Sequence, residues 1–405
     1  MSDGNLRTWR RFDALVVGAG LSGAVLAERM ASVLGYRVLV IDQRTHVAGN
    51  CHDEHDEHGV LVHRYGPHLF HTDKPEVWEY LSRFTDWHPY EHRVLASVDG
   101  DLLPVPFNLT SIERSFPEAE AREIIEALHE RFGAGARVPI LKLRAEENPL
   151  LRKLADFVYE KVFVHYTTKQ WGVKPEEISA EVTARVPVVV TRDDRYFSDP
   201  YQAVPKHGYT KMVEAMLGHP NIEVKLGVSF KEVATFDAAS GAVTLHGVPF
   251  EGLTVFTGMI DELFGYVHGD LPYRSLRFDF AHHADKAAFQ PATTVNYPND
   301  HAYTRITEFK HMTGQACQGT TVVYEYPHAF DRHHEHTPYY PIFNESSQAA
   351  YGHYAAKTRE MPKIVLAGRL AQYRYFDMDD AVENALATFA KLSVTWRTAR
   401  RDVDA

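Results

Sequence analysis

Two cysteines among 405 residues, Cys51 and Cys317, supply neither a disulfide framework nor a cysteine-based zinc site. No stretch approaches the roughly 20 consecutive apolar residues that a membrane span needs, so no membrane partner is expected. The opening MSDGNLRTWRRFDALVVGAG has no apolar core followed by a small-residue cleavage site, and no signal peptide is expected. Cytoplasmic residence is the expectation these absences leave. Positive charge is also scarce: 43 basic residues face 54 acidic ones, a net charge of −11. That balance argues against general nucleic-acid binding, where a strong positive field dominates affinity. A small anionic substrate stays open, because a few converging arginines act locally whatever the global sign.

Histidine is plentiful, at 24 residues. HDEHDEHGVLVH (His52 to His63) and DRHHEH (Asp331 to His336) are the dense clusters. Both are flanked by charge and read as exposed loops. Neither a paired cysteine set nor an HExxH helix accompanies them, so no metal is expected.

The apolar content of 44% and charged content of 24% are those of a soluble globular chain, long enough for two or three domains. FDALVVGAGLSGAVLAERMA reads as strand, glycine turn and helix, and YRVLVIDQR as a second strand. In Gly18-x-Gly20-x-x-Gly23 the glycines permit a tight turn and close approach of a pyrophosphate to a helix N-terminus. Asp42 ends the second strand where a carboxylate accepts from an adenosine ribose. A dinucleotide is the functional reading; the alternative is a tight turn that merely packs helix on sheet. RTHVAGN, with a second turn at Gly49-Asn50, resembles FAD-binding folds of the glutathione-reductase type. VLAGRLAQYRYFDMDDAV resembles their second cofactor element. FAD is therefore preferred to NAD.

From Pro104 the texture becomes helical. SFPEAEAREIIEALHERFG places Ser115 and Glu118 in capping-box spacing, with Pro117 in the first turn. NPLLRKLADFVYEKVFVHY reads as one further amphipathic helix. RVPVVV, IEVKLGVSF, AVTLHG, TVFTG, SLRFDFAHHA, ATTVNYP and TTVVYEYP read as strands. The chain ends as strand KIVLAG, a loop, and a helix opening on acidic residues. The fold class expected is α/β: an FAD-binding Rossmann-like domain with an inserted helical domain and an antiparallel β-sheet domain. The discontinuous cofactor domain is assigned 1–90, 205–260 and 355–400. The helical substrate domain is assigned 104–180, and the mainly β substrate domain 181–204 plus 261–354.

With the cofactor in view, the turn YGPHLFHT closely resembles that of bacterial UDP-galactopyranose mutases. The resemblance runs along nearly the whole chain, through VGAGLSGAV, YTTKQWG, DDRYFSDPYQAVPKHGYTKM, YRSL, YTRITE, YYPI and GRLAQYRYFDMD. It implies reversible ring contraction of UDP-galactopyranose to UDP-galactofuranose, without net redox change but with FAD reduced. In the mechanism so implied, flavin N5 attacks the anomeric carbon, UDP leaves, the adduct opens through an iminium, the sugar recloses and UDP returns. Relatives are commonly homo-oligomers.

The resemblance also assigns residues. The central diphosphate clamp, the catalytic pair, is Arg185 and Arg369, with support from Arg305. Arg274 is either a substrate contact or structural. Phe163, Tyr166, Thr167 and Trp171 are expected around the uridine. Tyr196, Tyr340, Tyr375 and Asn296 fall at the diphosphate and sugar, and His92 at a position that varies between histidine and asparagine. Cofactor contacts are expected from Gly18, Gly20, Leu21, Ser22 and Gly23, from Asp42, Gln43, Gly49 and Asn50, and from Val228. His68, Leu69, Asp377 and Met378 are expected at the flavin end, with Arg369. Two departures bear on recognition: Val164-His165 stands where Lys-Gly is usual, and Ala371-Gln372 where Gly-Thr is usual. The rival is an FAD-dependent oxidoreductase of the amine-oxidase class, sharing only the cofactor fold and needing no arginine set. A catalytically inactive UDP-sugar binder is a third reading, disfavoured by the intact clamp and flavin motifs.

Overall fold

The apolar strand before the glycine turn, Ala14–Val17, is the middle of a five-stranded parallel sheet. Its neighbours are Val38–Asp42 on one side and Leu253–Phe256 on the other, with Ile222–Leu226 and Ile364–Leu366 at the edges. The computed structural model describes residues 9–172, 187–334 and 336–403. Side chains alternate between two covered faces. Ala14, Val16, Val38, Val40, Leu253 and Val255 pack under the helices Leu21–Leu34, Tyr209–Leu217 and Met378–Val403. Leu15, Leu39, Ile41 and Ile364 pack on the opposite side, against a small antiparallel sheet (234–250) and the helix Glu345–Arg359. Burial on both faces is why these strands read as unbroken apolar runs. The expected α/β class is present.

The second large sheet has seven strands, in the order Tyr340–Pro341, Tyr273–His283, Thr320–Ala329, Arg305–Glu308, Thr294–Asn296, Val94–Val98 and Asp101–Val105. All neighbours are antiparallel except Thr294–Asn296 with Val94–Val98, which run parallel. The sheet thus recruits a hairpin from before the helical segment, a contribution the sequence reading left unassigned.

Between the sheets in sequence lies a helical layer, Leu109–Ser115, Glu118–Phe132, Ile140–Arg144 and Pro149–Val158, packed around Ile112, Ile124, Leu128, Leu151 and Leu154. Two local expectations need correction. Ser115 does not cap the helix after it, which begins at Glu118 with Pro117 in the cap position. Ser115 ends a separate short helix instead and its Oγ donates to Ser111 O at 2.7 Å, because Asn108 already starts that helix with a reciprocal cap on Ser111. The segment read as one amphipathic helix breaks into Pro149–Val158, a π-helical turn at Tyr159–Val164, and His165–Trp171. The first histidine cluster is exposed around its turn, where His55 and His58 lie open, but it is not a plain loop. It is a β-hairpin, Asp53–His55 with Leu61–His63, in which His52, Asp53 and His63 are buried. Among the described residues no group of three His, Cys, Asp or Glu side chains is arranged to hold a metal, and no helix is long and apolar enough to cross a membrane.

One carboxylate organises the far end of the seven-stranded sheet. Glu308, 0% exposed, accepts from the backbone N–H of Phe289 and Gln290, from Thr320 Oγ1 at 2.6 Å and from His311 Nε2 at 3.2 Å. Burial works to raise its pKa, but these donors overcome it and hold it at about 2. A carboxyl lowered from 4.5 to about 2 contributes stability that is present above pH 4.5 and lost as pH falls through about 2, on the order of 3 kcal/mol. His311, raised by the same bond against its own burial, acts in the opposite sense: its share is complete below pH 6.5 and lost as pH rises through its folded pKa. Denaturant unfolding of wild type and Glu308→Gln should therefore differ most between pH 4.5 and 6.5 and converge toward about pH 2. A gap that stayed constant down to about pH 2 would contradict the assignment.

Candidate active site

The first groove starts where the strand Ala14–Val17 feeds the helix Leu21–Leu34. That helix has no side-chain cap and no acidic residue in its first turn, so its leading amides and positive dipole end face the groove unsatisfied. Gly18, Gly20, Leu21, Ser22 and Gly23 all line it. Asp42, at the end of the next strand, accepts from Ala19 N through Oδ2 and from Arg44 N through Oδ1, both at 2.8 Å, and so ties the two turns together. Gly49 has φ +56°, and a Cβ there would stand 2.9 Å from Gly20 Cα; the two glycine turns lie in backbone contact. Gln43, Gly49, Asn50 and Val228 complete the near end. The whole groove encloses about 570 Å³ and ends at His68, Arg369, Asp377 and Met378.

These last four also line a second cavity of about 250 Å³, which opens from the first. Between the two lies the turn Arg64–Thr72. It is held to the start of the last helix by Thr72 Oγ1 donating to Asp379 Oδ2 at 3.0 Å, while Lys74 bridges Asp379 and Asp380. His68 Nδ1 donates to Gly66 O at 2.9 Å, and its backbone N–H donates to His63 Nδ1 at 3.0 Å. Burial pushes both imidazoles down to about 3, so both are neutral at neutral pH. His71 stacks on Phe197 with ring centroids 3.5 Å apart and places Nδ1 3.1 Å from Asp199 Oδ2. Burial pushes the Asp377 carboxyl up, against the pull of His71 and Arg369.

The wall of the second cavity is the seven-stranded sheet. Arg305 and Glu325 sit directly opposite on adjacent strands, with Nη2 3.1 Å from Oε1. Burial opposes the Arg305 charge, but Glu325 beside it raises its pKa further, so the guanidinium stays charged. Arg305 Nε and Asn296 Oδ1 are buried without a hydrogen-bond partner among the described residues. A cluster of incompletely bonded polar atoms is what a ligand-binding wall leaves, since buried polar groups are otherwise paired. Arg369 faces the wall. Its Nε donates to Phe376 O at 3.1 Å and Nη1 to Tyr339 O at 3.2 Å, and its Cζ lies 4.9 Å from the Tyr340 ring and 5.5 Å from Tyr375. The two tyrosines stack at 5.7 Å, a shelf that fixes the guanidinium by cation–π attraction. Tyr166, its phenol pushed up to about 12 by burial although Arg305 pulls the other way, closes the cavity with Tyr196 and His92. Burial, then the charges of Arg305 and His71, push His92 down to about 3.

Of the residues expected here, Asn296, Arg305, Tyr340, Arg369 and Tyr375 converge with Tyr166, Tyr196 and His92. Leu69 lines the second cavity but not the first groove. Phe163 is displaced: 2% exposed, it packs in the helical core with Leu154 and Val158 and lines neither cavity, because the π turn rotates it inward. Thr167 is buried and lines neither. Arg274 lines neither; its guanidinium meets backbone carbonyls at the end of helix His165–Trp171. Arg185 lies outside the described residues, as does the side chain of Trp171. The sequence reading missed Tyr65, Phe197, Glu325 and Tyr339, all cavity-lining, and Arg44, whose Nη2 donates to Asn50 Oδ1 at 2.9 Å and whose Cζ lies 4.2 Å from the Tyr65 ring. Glu325 left a signal: one acid inside the otherwise uncharged strand TTVVYEYP.

A family model described as UDP-galactopyranose mutase matches residues 161–375, and one described as an NAD(P)-binding Rossmann-like domain matches residues 16–84. The chain is 35% identical over 378 residues to a probable UDP-galactopyranose mutase of Klebsiella pneumoniae, covering 92% of this chain and 93% of the relative. It is 34% identical over 379 residues to a dTDP-fucopyranose mutase of Escherichia coli, covering 92% and 96%. The UDP-galactopyranose mutase of Mycoplasma pneumoniae is 33% identical over 395 residues, covering 96% and 98%. Among solved structures the fold is similar to reduced UDP-galactopyranose mutase, with TM-score 0.67, 15% identity and coverage of 95% and 94%. Putrescine oxidase, bound to putrescine, shares it with TM-score 0.55, 14% identity and coverage of 95% and 99%. Both structural likenesses are of fold.

Proposed function

The chain belongs to the UDP-galactopyranose mutase family, and from that membership we propose that it interconverts UDP-galactopyranose and UDP-galactofuranose in the second cavity, with reduced FAD along the first groove. The observation that carries this reading is the pair Arg305 and Arg369 in a polar cavity opening from the flavin end of a dinucleotide groove. An oxidase acting on a small amine has no use for two guanidinium groups there.

The groove fits the cofactor: uncapped helix amides suit a pyrophosphate, and the Asp42 carboxylate suits a ribose. When bound, a reduced flavin supplies a nucleophilic nitrogen for the anomeric carbon. The chain itself does the rest. Arg369 and Arg305 bind the diphosphate and stabilise the charge that gathers on it as the glycosidic bond breaks. The hydroxyls of Tyr196 and Tyr340 donate to diphosphate and sugar oxygens, Tyr166 meets the nucleotide, and Asn296 positions the sugar. The neutral His68 adds no second cation beside Arg369 at the flavin end. Wrapping the sugar between turn, sheet and tyrosine shelf keeps water from intercepting it.

A second reading of the same site is favoured by the 34% identity to a dTDP-fucopyranose mutase: the same ring contraction on a thymidine-linked 6-deoxy sugar. Incubating the dithionite-reduced and the oxidised protein with UDP-galactofuranose and with dTDP-fucofuranose, and following both by chromatography, tests the two together. Turnover of UDP-galactofuranose by the reduced form only is the expected outcome. Faster turnover of the thymidine sugar would shift the assignment to the second reading. Amine oxidation with neither isomerisation would end both.

A further inference from the structure

Arg274 is 6% exposed, yet no carboxylate lies within ion-pair distance of it among the described residues. Its guanidinium is spent on the main chain: Nε donates to Gln170 O at 3.0 Å and Nη2 to Lys169 O at 3.2 Å. Those carbonyls are in the last turn of helix His165–Trp171, where the backbone has acceptors to spare and the dipole favours a cation. The helix closes at Gly172, left-handed at φ +66°, whose N–H donates to Thr168 O at 2.8 Å. A Cβ on Gly172 would stand 2.5 Å from Arg274 Nη1 and 3.0 Å from Cζ. The same glycine therefore supplies the left-handed cap and the room for the guanidinium to lie against the chain.

Four further contacts give this tether a purpose. Lys169, in the same turn, donates Nζ to Tyr297 O at 2.6 Å and His301 O at 3.1 Å, fastening the helix end to the loop beyond Asn296. The other end of the helix follows the π turn Tyr159–Val164, so regular i to i+4 bonding does not carry rigidity from the helical core into it. On the site side, Arg274 O accepts from Tyr339 N at 2.9 Å, and Tyr339 O in turn accepts from Arg369. Between these anchors the helix presents Tyr166 to the second cavity.

We infer that Arg274 is a positioning residue: by holding the terminal carbonyls of helix His165–Trp171 against Gly172, it fixes Tyr166 over the cavity and sets affinity for the nucleotide end of the substrate without touching the substrate. The inference rests on the nucleotide-sugar reading of that cavity. A tether that acts on binding in ground and transition state alike changes KM and leaves kcat nearly alone.

The test compares Arg274→Lys, Arg274→Gln and Gly172→Ala, the last keeping the guanidinium but displacing it. Each is measured for flavin content, for KM and kcat in the reduced form, for UDP affinity by calorimetry, and for hydrogen exchange of the amides from 166 to 172. Arg274→Gln and Gly172→Ala should raise KM and the UDP Kd about tenfold or more, the equivalent of about 1.4 kcal/mol, with kcat within about threefold. Flavin content should be unchanged and exchange across the helix faster, with Arg274→Lys recovering part of each. A fall in kcat at constant KM, or unchanged UDP affinity beside a loosened helix, overturns the inference. A wild type that neither binds UDP nor turns over a nucleotide sugar overturns the functional reading instead.

Discussion

Arg369→Ala should lower kcat/KM by about 100- to 1,000-fold, with most of the loss in kcat. Arg369 lines both cavities, at the point where flavin, sugar and diphosphate would meet under the proposed function. Breaking the glycosidic bond concentrates negative charge on the departing diphosphate, so a fixed guanidinium contributes more in the transition state than in the ground state. Removing one such pre-organised donor costs about 3–4 kcal/mol, which sets the range. The arginine is pre-organised by neutral groups: two backbone carbonyls and two tyrosine faces, none of which competes with phosphate for charge. Arg369→Lys keeps the charge but cannot reach both carbonyls and an anion at once, so an intermediate loss is expected. Truncation also leaves Phe376 O and Tyr339 O without their donors, at about 1–3 kcal/mol of stability. Rates are therefore compared well below the unfolding midpoint and normalised to bound flavin. An alanine variant within about threefold of wild type, flavin intact, would remove Arg369 from the clamp.

What could be read from the sequence follows from how local each feature is. The glycine turn, Asp42 and Gly49-Asn50 were legible because backbone geometry and dipole direction are set within a few residues. The arginines were legible only through resemblance: Arg305 and Arg369 are 64 positions apart in the chain, and nothing in their neighbours says that they meet. Phe163 was misplaced by a change of period. An unbroken α-helix puts Phe163 and Tyr166 three residues apart on one face, whereas the π turn sends Phe163 into the core and leaves Tyr166 at the cavity. Arg274 was left open between two roles for a different reason. A guanidinium suits a diphosphate and a helix C-terminus equally well, and only the distance to Gln170 O tells them apart. Ser115 had the spacing of a capping box, but a cap belongs to whichever helix reaches it first, and Asn108 had begun one seven residues earlier.

Gly23→Ala should abolish flavin retention while changing a single methyl group. The Cβ of an alanine at 23 would lie 2.0 Å from Gly18 O and 3.1 Å from Val16 Cγ1. The oxygen cannot retreat: Gly18 N is held by Ile41 O at 2.8 Å, and Val17 O by Thr257 N at 3.0 Å, so the turn is locked into the parallel sheet. Helix Leu21–Leu34 has to lift instead, carrying its uncapped amides away from the place where the proposed cofactor's pyrophosphate would bind. Overpacking of this kind costs about 1–3 kcal/mol, and at the upper end it weakens cofactor binding about 100-fold. The readout is visible flavin absorbance per polypeptide on purification, followed by the Kd for FAD on reconstitution. Gly352→Ala serves as the control. It makes the same substitution inside helix Glu345–Arg359, where a Cβ meets nothing within 4 Å, and is expected to stabilise by about 0.5–1 kcal/mol. If Gly23→Ala purified with a full complement of flavin, the close approach of helix to turn would not be what holds the cofactor.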